Sequence, residues 1–336
     1  MGGGGSYYDR DVTDDARRTS GGFSDLAEKS MDSYRVDYGL LPFKRRLKTM
    51  SKNPLVYAFD VTGSMGNLPK IIFDKMPMIA GQIADQKYLE DADVSLAAVG
   101  DIESDSAPLQ VCDFSAIRQL DSYLKRIWVE SNGGSQHFES YEFMAYYYAY
   151  LCDIPKAQMP IFLFTGDEAF RPNLRKGDLE RHFGGNCQSV DADIVFRDLR
   201  KKFKDNVFLI HKKYASGKDG EIVSLWERAL GKERVIKLPQ DLAVADVTLG
   251  VLAIAGGTRT LDEYISDIKN RPLDMGVVKY KPQSQQRIDE VRDALESFAG
   301  SRNALTGSRR SRRAEPRKAA KASKTKKPNR KGDLLL

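Results

Sequence analysis

Asp60-Val61-Thr62-Gly63-Ser64 places a carboxylate and two hydroxyls at alternate positions of one short segment. The segment follows the apolar run Leu55–Phe59 and precedes a helical pattern, with Asn67 at the N-cap and Leu68, Ile72, Met76, Ile79 and Ile83 on one stripe. At a strand-to-helix turn such oxygens can converge on a single point, and Gly63 lets the backbone turn tightly enough. Hard cations take oxygen ligands, and Mg²⁺ wants about six. Further oxygens come from elsewhere in the chain. The apolar run Ile161–Thr165 ends in Gly166-Asp167, and Ser131-Asn132-Gly133-Gly134-Ser135-Gln136 is a loop leading into a helix. In open α/β sheets ligands collect at the carboxyl ends of strands, where strand order reverses. If these two strands are neighbours there, Asp167 faces Asp60 across the crevice.

The elements that must position these residues alternate along the chain. Continuous apolar strands are expected at Leu55–Phe59, Val94–Val99, Leu109–Phe114 (at an edge), Ile161–Thr165, Val207–His211 and Val235–Leu238. Helices are expected after Asn67, where Pro77 should introduce a kink, and over 115–129, 139–152, 191–203, 222–230 and 241–255. Apolar strands separated by amphipathic helices describe a doubly wound α/β fold with a mostly parallel sheet covered on both faces. The expected organisation is a flexible, irregular N-terminal arm over 1–50, one α/β domain over 51–257, a helical extension over 258–300, and a disordered basic tail over 301–336.

The first segment is similar to the opening motif, Asp-x-Thr-x-Ser, of the metal-ion-dependent adhesion site of von Willebrand factor A domains. The loop at 133–135 and the strand-terminal Asp167 resemble the second and third motifs, in the same order, and the resemblance covers about residues 52–255. It implies a Rossmann-like fold and a bound Mg²⁺, with Mn²⁺ or Ca²⁺ as substitutes. It further implies a metal set of Asp60, Thr62, Ser64, Ser135 and Asp167. Thr62 and Ser64 would contact the metal directly, Asp60 and Asp167 through water. An open position would accept a carboxylate from a protein partner, so the implied role is binding and not catalysis. Intracellular bacterial and phage proteins of this type resemble partners of MoxR-type AAA+ ATPases, which makes such an ATPase an implied partner. Two departures stand out. The second motif usually offers a threonine, and this loop offers Ser135, Gln136 or Asn132. The third usually reads Thr-Asp-Gly, and here Thr165-Gly166-Asp167-Glu168 is slipped by one residue.

The same residues fit other chemistry less well. Asp60-Val61-Thr62-Gly63-Ser64 also resembles the Asp-Lys-Thr-Gly-Thr of haloacid-dehalogenase-type pumps, which would make Asp60 a phosphoryl-accepting nucleophile. Val61 stands in place of that lysine, however, and no later strand ends in the required acidic pair. Thr62-Gly63-Ser64-Met65-Gly66 lacks the first glycine of a nucleophile elbow. Asp101, Glu103 and Asp105 echo the start of a calcium loop without its glycine or its final glutamate, and read as a solvated acidic loop. Asp101 is a secondary candidate for tuning the metal from nearby. The three histidines, His137, His182 and His211, share no zinc-like spacing. The tyrosines from Tyr141 to Tyr150 read as packing, with hydroxyls reaching polar partners.

Charge is unevenly spread. The net charge is +6, yet residues 301–336 hold 13 Lys/Arg against 2 acids, which leaves the body mildly acidic. Such a tail would neutralise phosphates without reading sequence, so a nucleic-acid tether is a second alternative. The residues Met1-Gly2 and Ser6 fit the loose myristoylation pattern, but so short a pattern recurs by chance and a flexible glycine-rich start is the favoured reading. No apolar stretch approaches the ~18 residues of a membrane span. Three scattered cysteines suit reduced thiols, so the expected location is cytoplasmic.

Overall fold

The computed structural model describes residues 36–129, 137–215, 217–271 and 282–314. Its longer elements, in chain order, are β1 (Leu55–Asp60), α1 (Leu68–Asp85), β2 (Asp93–Val99), β3 (Leu109–Val111), α2 (Leu120–Leu124), α3 (Tyr141–Tyr150), β4 (Ile161–Gly166), α4 (Lys176–Phe183), α5 (Ala192–Lys202), β5 (Val207–His211), α6 (Asp219–Leu230), β6 (Val235–Lys237), α7 (Val244–Ala255), α8 (Leu261–Lys269) and α9 (Gln285–Ala314). The sheet order is β6-β5-β4-β1-β2-β3, parallel except for β3. A two-residue strand, Ser115–Ala116, adds an antiparallel pairing at the start of β2. The fold is therefore the doubly wound α/β class expected from the alternation of elements.

Period-two alternation along each strand divides the core into two layers. Tyr57 and Phe59 of β1, with Leu163 and Ile210, face α1 and α7. Val56 and Ala58, with Phe162, Phe164 and Leu209, face the layer of α3, α5 and α6. Every residue of β1 and β4 is buried, which explains why these strands read as continuous apolar runs. From β1 the chain crosses to β2 on one side, and later returns to β4 on the other. Strand order thus reverses between β1 and β4, paired in register from Leu55↔Ile161 to Phe59↔Thr165.

Several expectations needed correction. Residues 115–129 do not form one helix, but a short strand, a 3₁₀ turn over Ile117–Gln119 and the brief α2. The buried Gln110 side chain holds Trp128 at both backbone groups, its Nε2 donating to the carbonyl (2.7 Å) and its Oε1 accepting from the N–H (2.8 Å). That clamp fixes the chain beyond α2 against the edge strand. The arm is partly ordered too: Leu47–Lys48 pairs with Cys152–Asp153, Leu40 is buried, and Arg45 donates to the Val111 carbonyl at the sheet edge. Helix α1 runs as one element from Leu68 to Asp85 with Pro77 inside it.

The extension after Gly257 packs onto α7. Ile265, Val291, Leu295 and Phe298 join the core, and the Phe298 ring meets Phe208 at 4.9 Å. Residues 301–314, expected to be disordered, continue α9, anchored where the Arg302 guanidinium lies over Phe298 at 5.6 Å. Residues 1–35 and 315–336, and with them the myristoylation pattern and most of the basic tail, lie outside the described residues. Among the described residues no helix is long and apolar enough to cross a membrane.

Glu142, in the first turn of α3, is fully buried. Its Oε2 accepts the Arg171 N–H at 3.3 Å, and among the described residues its Oε1 has no partner. Burial pushes its carboxyl up to about 8 from a reference of 4.5, against smaller opposing contributions from hydrogen bonds and the Arg171 charge. The folded protein holds this proton more tightly than the unfolded chain. The resulting stabilisation is complete below the unfolded value and is lost as pH rises through the folded one. Glu142→Gln is therefore expected to flatten the fall in stability between about pH 5 and about pH 9, read from urea midpoints across that window. An unchanged slope would contradict this assignment.

Candidate metal centre

Asp60 is the last residue of β1, and Val61 still pairs with the neighbouring strand through its N–H to the Val99 carbonyl (3.0 Å). The chain then turns on the Asp60 carboxylate. Oδ1 accepts the Thr62 N–H at 2.8 Å and the Thr62 hydroxyl at 2.6 Å. A 3₁₀ turn over Gly63–Met65 follows and leads into α1. The Lys212 ammonium donates to the carbonyls of Ser64 (3.0 Å) and Met65 (2.8 Å), and its backbone N–H donates to the Gly166 carbonyl (2.9 Å). One residue after β5 thereby ties the turn to the end of β4.

Across the crevice, Ser64 donates to Oδ1 of Asp167 at 2.9 Å, and the hydroxyls of Thr62 and Ser64 lie 3.3 Å apart. The one-residue slip in the third motif does not turn the carboxylate away, because Asp167 is buried and reaches the first motif directly. Four of the five expected residues (Asp60, Thr62, Ser64, Asp167) come together. Ser135, with Asn132 and Gln136, lies outside the described residues. Ser64 is exposed while Asp60, Thr62 and Asp167 are buried, so the set opens to solvent on the Ser64 side. The half-exposed His137 and Tyr214 stand in contact with each other, Nδ1 to hydroxyl at 2.7 Å, and Tyr214 feels the charges of Glu168 and Asp167.

Residue patterns missed several members of this site. Tyr141, read as packing, donates its hydroxyl to Asp60 Oδ2 at 2.6 Å. Among the described residues Glu139 is fully buried with neither carboxylate oxygen partnered, and Glu168, next in sequence to Asp167, is buried with Oε2 unpartnered. Helical spacing could not single out Tyr141 among its neighbours. The only local hint of Glu168 was its place beside Asp167. Asp101 was read as part of a solvated loop, but it is buried and ion-paired with Arg171 at 2.8 Å. The other tyrosine hydroxyls behave as expected at Tyr148, which meets Ser95 at 2.6 Å, and at Tyr150, which donates to Asp198 at 2.7 Å.

Burial is the main cause of the electrostatics. It raises the Asp60 carboxyl, against hydrogen bonds from Thr62 and Tyr141 that pull it down. Asp167 is raised by burial and then by the Asp60 charge, with Ser64 and Lys212 opposing. Glu168 is pushed up to about 8, by burial and by the charges of Asp60 and Asp167. Glu139 is raised by burial, then by Asp60 and Glu168. Four acids thus crowd one buried region with too few donors to satisfy them. Buried charge of this kind is costly unless it is paired or meets a cation.

An all-oxygen donor set of carboxylates and hydroxyls suits a hard divalent cation, and the orphaned oxygens of Glu139 and Glu168 fit that chemistry. Among the described residues no three His, Cys, Asp or Glu side chains are spaced to ligate one ion together. The convergence is one of carboxylates with hydroxyls.

No protein-family model matches the sequence, and no curated protein matches it. Among solved structures, the chain is similar to the pilus adhesin SpaC from Lactobacillus rhamnosus GG in its open conformation. That match has a TM-score of 0.42 and 9% identity, and covers 62% of this chain and 31% of that one. A second SpaC structure gives a TM-score of 0.41 and 11% identity, over 67% of this chain and 32% of that one. The conserved hypothetical protein BatB from Bacteroides thetaiotaomicron gives a TM-score of 0.34 and 9% identity, over 61% of this chain and 98% of that one. The chain therefore spans about a third of the length of the adhesin it matches.

Gly166 is required by the Tyr141–Asp60 bond. A Cβ at this position would overlap the Tyr141 hydroxyl and lie 2.6 Å from its Cζ. Gly166→Ala is expected to destabilise the fold by about 1–3 kcal/mol through overpacking, measured by urea unfolding. Adding Tyr141→Phe should recover part of that loss, because it removes the first atom struck. Strict additivity of the two changes would argue against the clash.

Proposed function

We propose that this chain is a von Willebrand factor A-type binding module. Its metal-ion-dependent site would lie at the carboxyl ends of β1 and β4 and take a carboxylate from a protein partner. The supporting observation is the Ser64 hydroxyl bonded to Asp167. It joins the first and third motifs across the strand-order reversal, with Ser64 exposed and the acids buried beneath it. Thr62, Ser64, Asp60 and Asp167 are the residues that would hold the cation, with Ser135 as the expected contribution of the loop at 130–136. Bound there, a divalent ion supplies an electrophilic corner for the partner's acid. Mg²⁺ is the expected ion, with Mn²⁺ or Ca²⁺ as substitutes.

The chain's own residues prepare that corner. Tyr141 and the Thr62 N–H fix the orientation of the Asp60 carboxylate, and Lys212 holds the turn carrying Ser64. A role as nucleophile would need an accessible Asp60 oxygen. Here Asp60 is fully buried, with Oδ1 held by Thr62 and Oδ2 by Tyr141, which suits positioning better than attack. The reading is therefore a non-catalytic one, with an AAA+ ATPase among the partner classes to try.

The test is isothermal titration of chelator-treated protein with Mg²⁺ and Mn²⁺. Binding is expected in the parent chain and is expected to weaken by at least about tenfold in the Asp60→Ala/Ser64→Ala variant. Equal affinity in the two proteins would remove the site.

A further inference from the structure

Glu139 and Glu168 take no part in the motifs that define the proposed site. Glu139 is 0% exposed and Glu168 4%. Among the described residues, both oxygens of Glu139 and Oε2 of Glu168 have no hydrogen-bond partner. Their neighbours identify the direction in which they lie. After burial, the foremost charge acting on each is Asp60, and Glu168 also acts on Glu139. Glu168 also meets the Ser64 hydroxyl. The two arrive from different elements. The Glu139 N–H donates to the Ala169 carbonyl at 2.9 Å, so the segment entering α3 lies beside the chain that leaves β4. Trp226 Nε1 holds the Glu168 carbonyl at 2.9 Å. Both backbones are thus fixed, Glu139 beside the chain that follows Asp167 and Glu168 next to Asp167 itself.

We propose that Glu139 and Glu168 are cation-binding residues of the same centre, acting with Asp60, Ser64 and Asp167 on one hydrated divalent ion. The proposal rests on the function proposed above and extends its set of acids. Because no three acidic side chains among the described residues are spaced for direct ligation, Glu139 and Glu168 act on the charge of the ion and on the water it carries. Mg²⁺ keeps several waters when protein-bound, and acceptors surrounding such a shell contribute strongly to affinity. More of the ion's charge is then answered from within the chain. A partner's carboxylate accordingly meets a weaker electrophile than at a centre with two acids.

The experiment uses the full chain, freed of metal by chelator and titrated with Mg²⁺ and with Mn²⁺, alongside thermal unfolding with and without the ion. Glu139→Gln and Glu168→Gln keep shape and remove charge. Each is expected to weaken cation affinity by at least about tenfold, while the Tm of the cation-free variant stays equal to the parent or rises, because a buried unpaired carboxylate is gone. Parent-like affinity in both Gln variants, with affinity lost in Asp60→Ala/Ser64→Ala, overturns this inference and leaves the site standing, with the two glutamates as neutral buried acids. Parent-like affinity in all the variants overturns site and inference together. Weakened affinity accompanied by a lower cation-free Tm assigns the glutamates a structural role and also overturns the inference.

Discussion

Uncompensated negative charge at the carboxyl ends of β1 and β4 is the constraint around which this molecule is arranged. Asp60, Asp167, Glu139 and Glu168 are all buried. Burial strips each of solvation and raises its carboxyl, and the Asp60 charge raises the other three further. A folded chain keeps such a cluster by protonating some of its members, by supplying donors, or by pairing it with opposite charge. Among the described residues the groups that answer Asp60 and Asp167 include the Thr62 amide and hydroxyl, the Tyr141 and Ser64 hydroxyls, and Lys212 acting at a distance on Asp167.

The surrounding fold serves to hold those groups in place. Fully buried strands β1 and β4 fix the heights of Asp60 and Gly166 through their parallel register. Packing of α3 against the second core layer sends Tyr141 into the gap that Gly166 leaves open, where its ring also meets Trp226 at 5.1 Å. The Trp226 indole in turn holds the Glu168 carbonyl. Aromatic packing and acid placement are therefore one structure, and a change to the packing will be felt at the acids. Lys212 ties three strands' ends together by bonding the β1 turn with its side chain and β4 with its backbone.

Access is asymmetric. Ser64 and Gly63 are exposed at the mouth, Asp60 and Asp167 lie below, and His137 with Tyr214 stands half-exposed at one side. A ligand approaching from solvent meets a hydroxyl first and carboxylates only afterwards. The binding function proposed above would use this asymmetry, with a cation held between the buried acids and a group arriving from outside.

Much of this was readable in the order of residues. Continuous apolar runs marked β1, β4 and β5, because strands buried on both faces cannot alternate, and Asp-x-Thr-x-Ser at a strand end marked the place where oxygens gather. Other features depended on contacts between residues distant in sequence. Gln110 clamping Trp128 interrupted an expected helix, and the packing of α9 on α7 drew part of the basic tail into a helix. Tyr141 became a site residue only because α3 sets its hydroxyl above Gly166. Glu139 and Glu168 carry no spacing that sets them apart from surface acids. Periodicity reports which face of an element meets the core, whereas the fate of a buried carboxylate depends on which donors other elements bring to it, and that is decided only when the layers close.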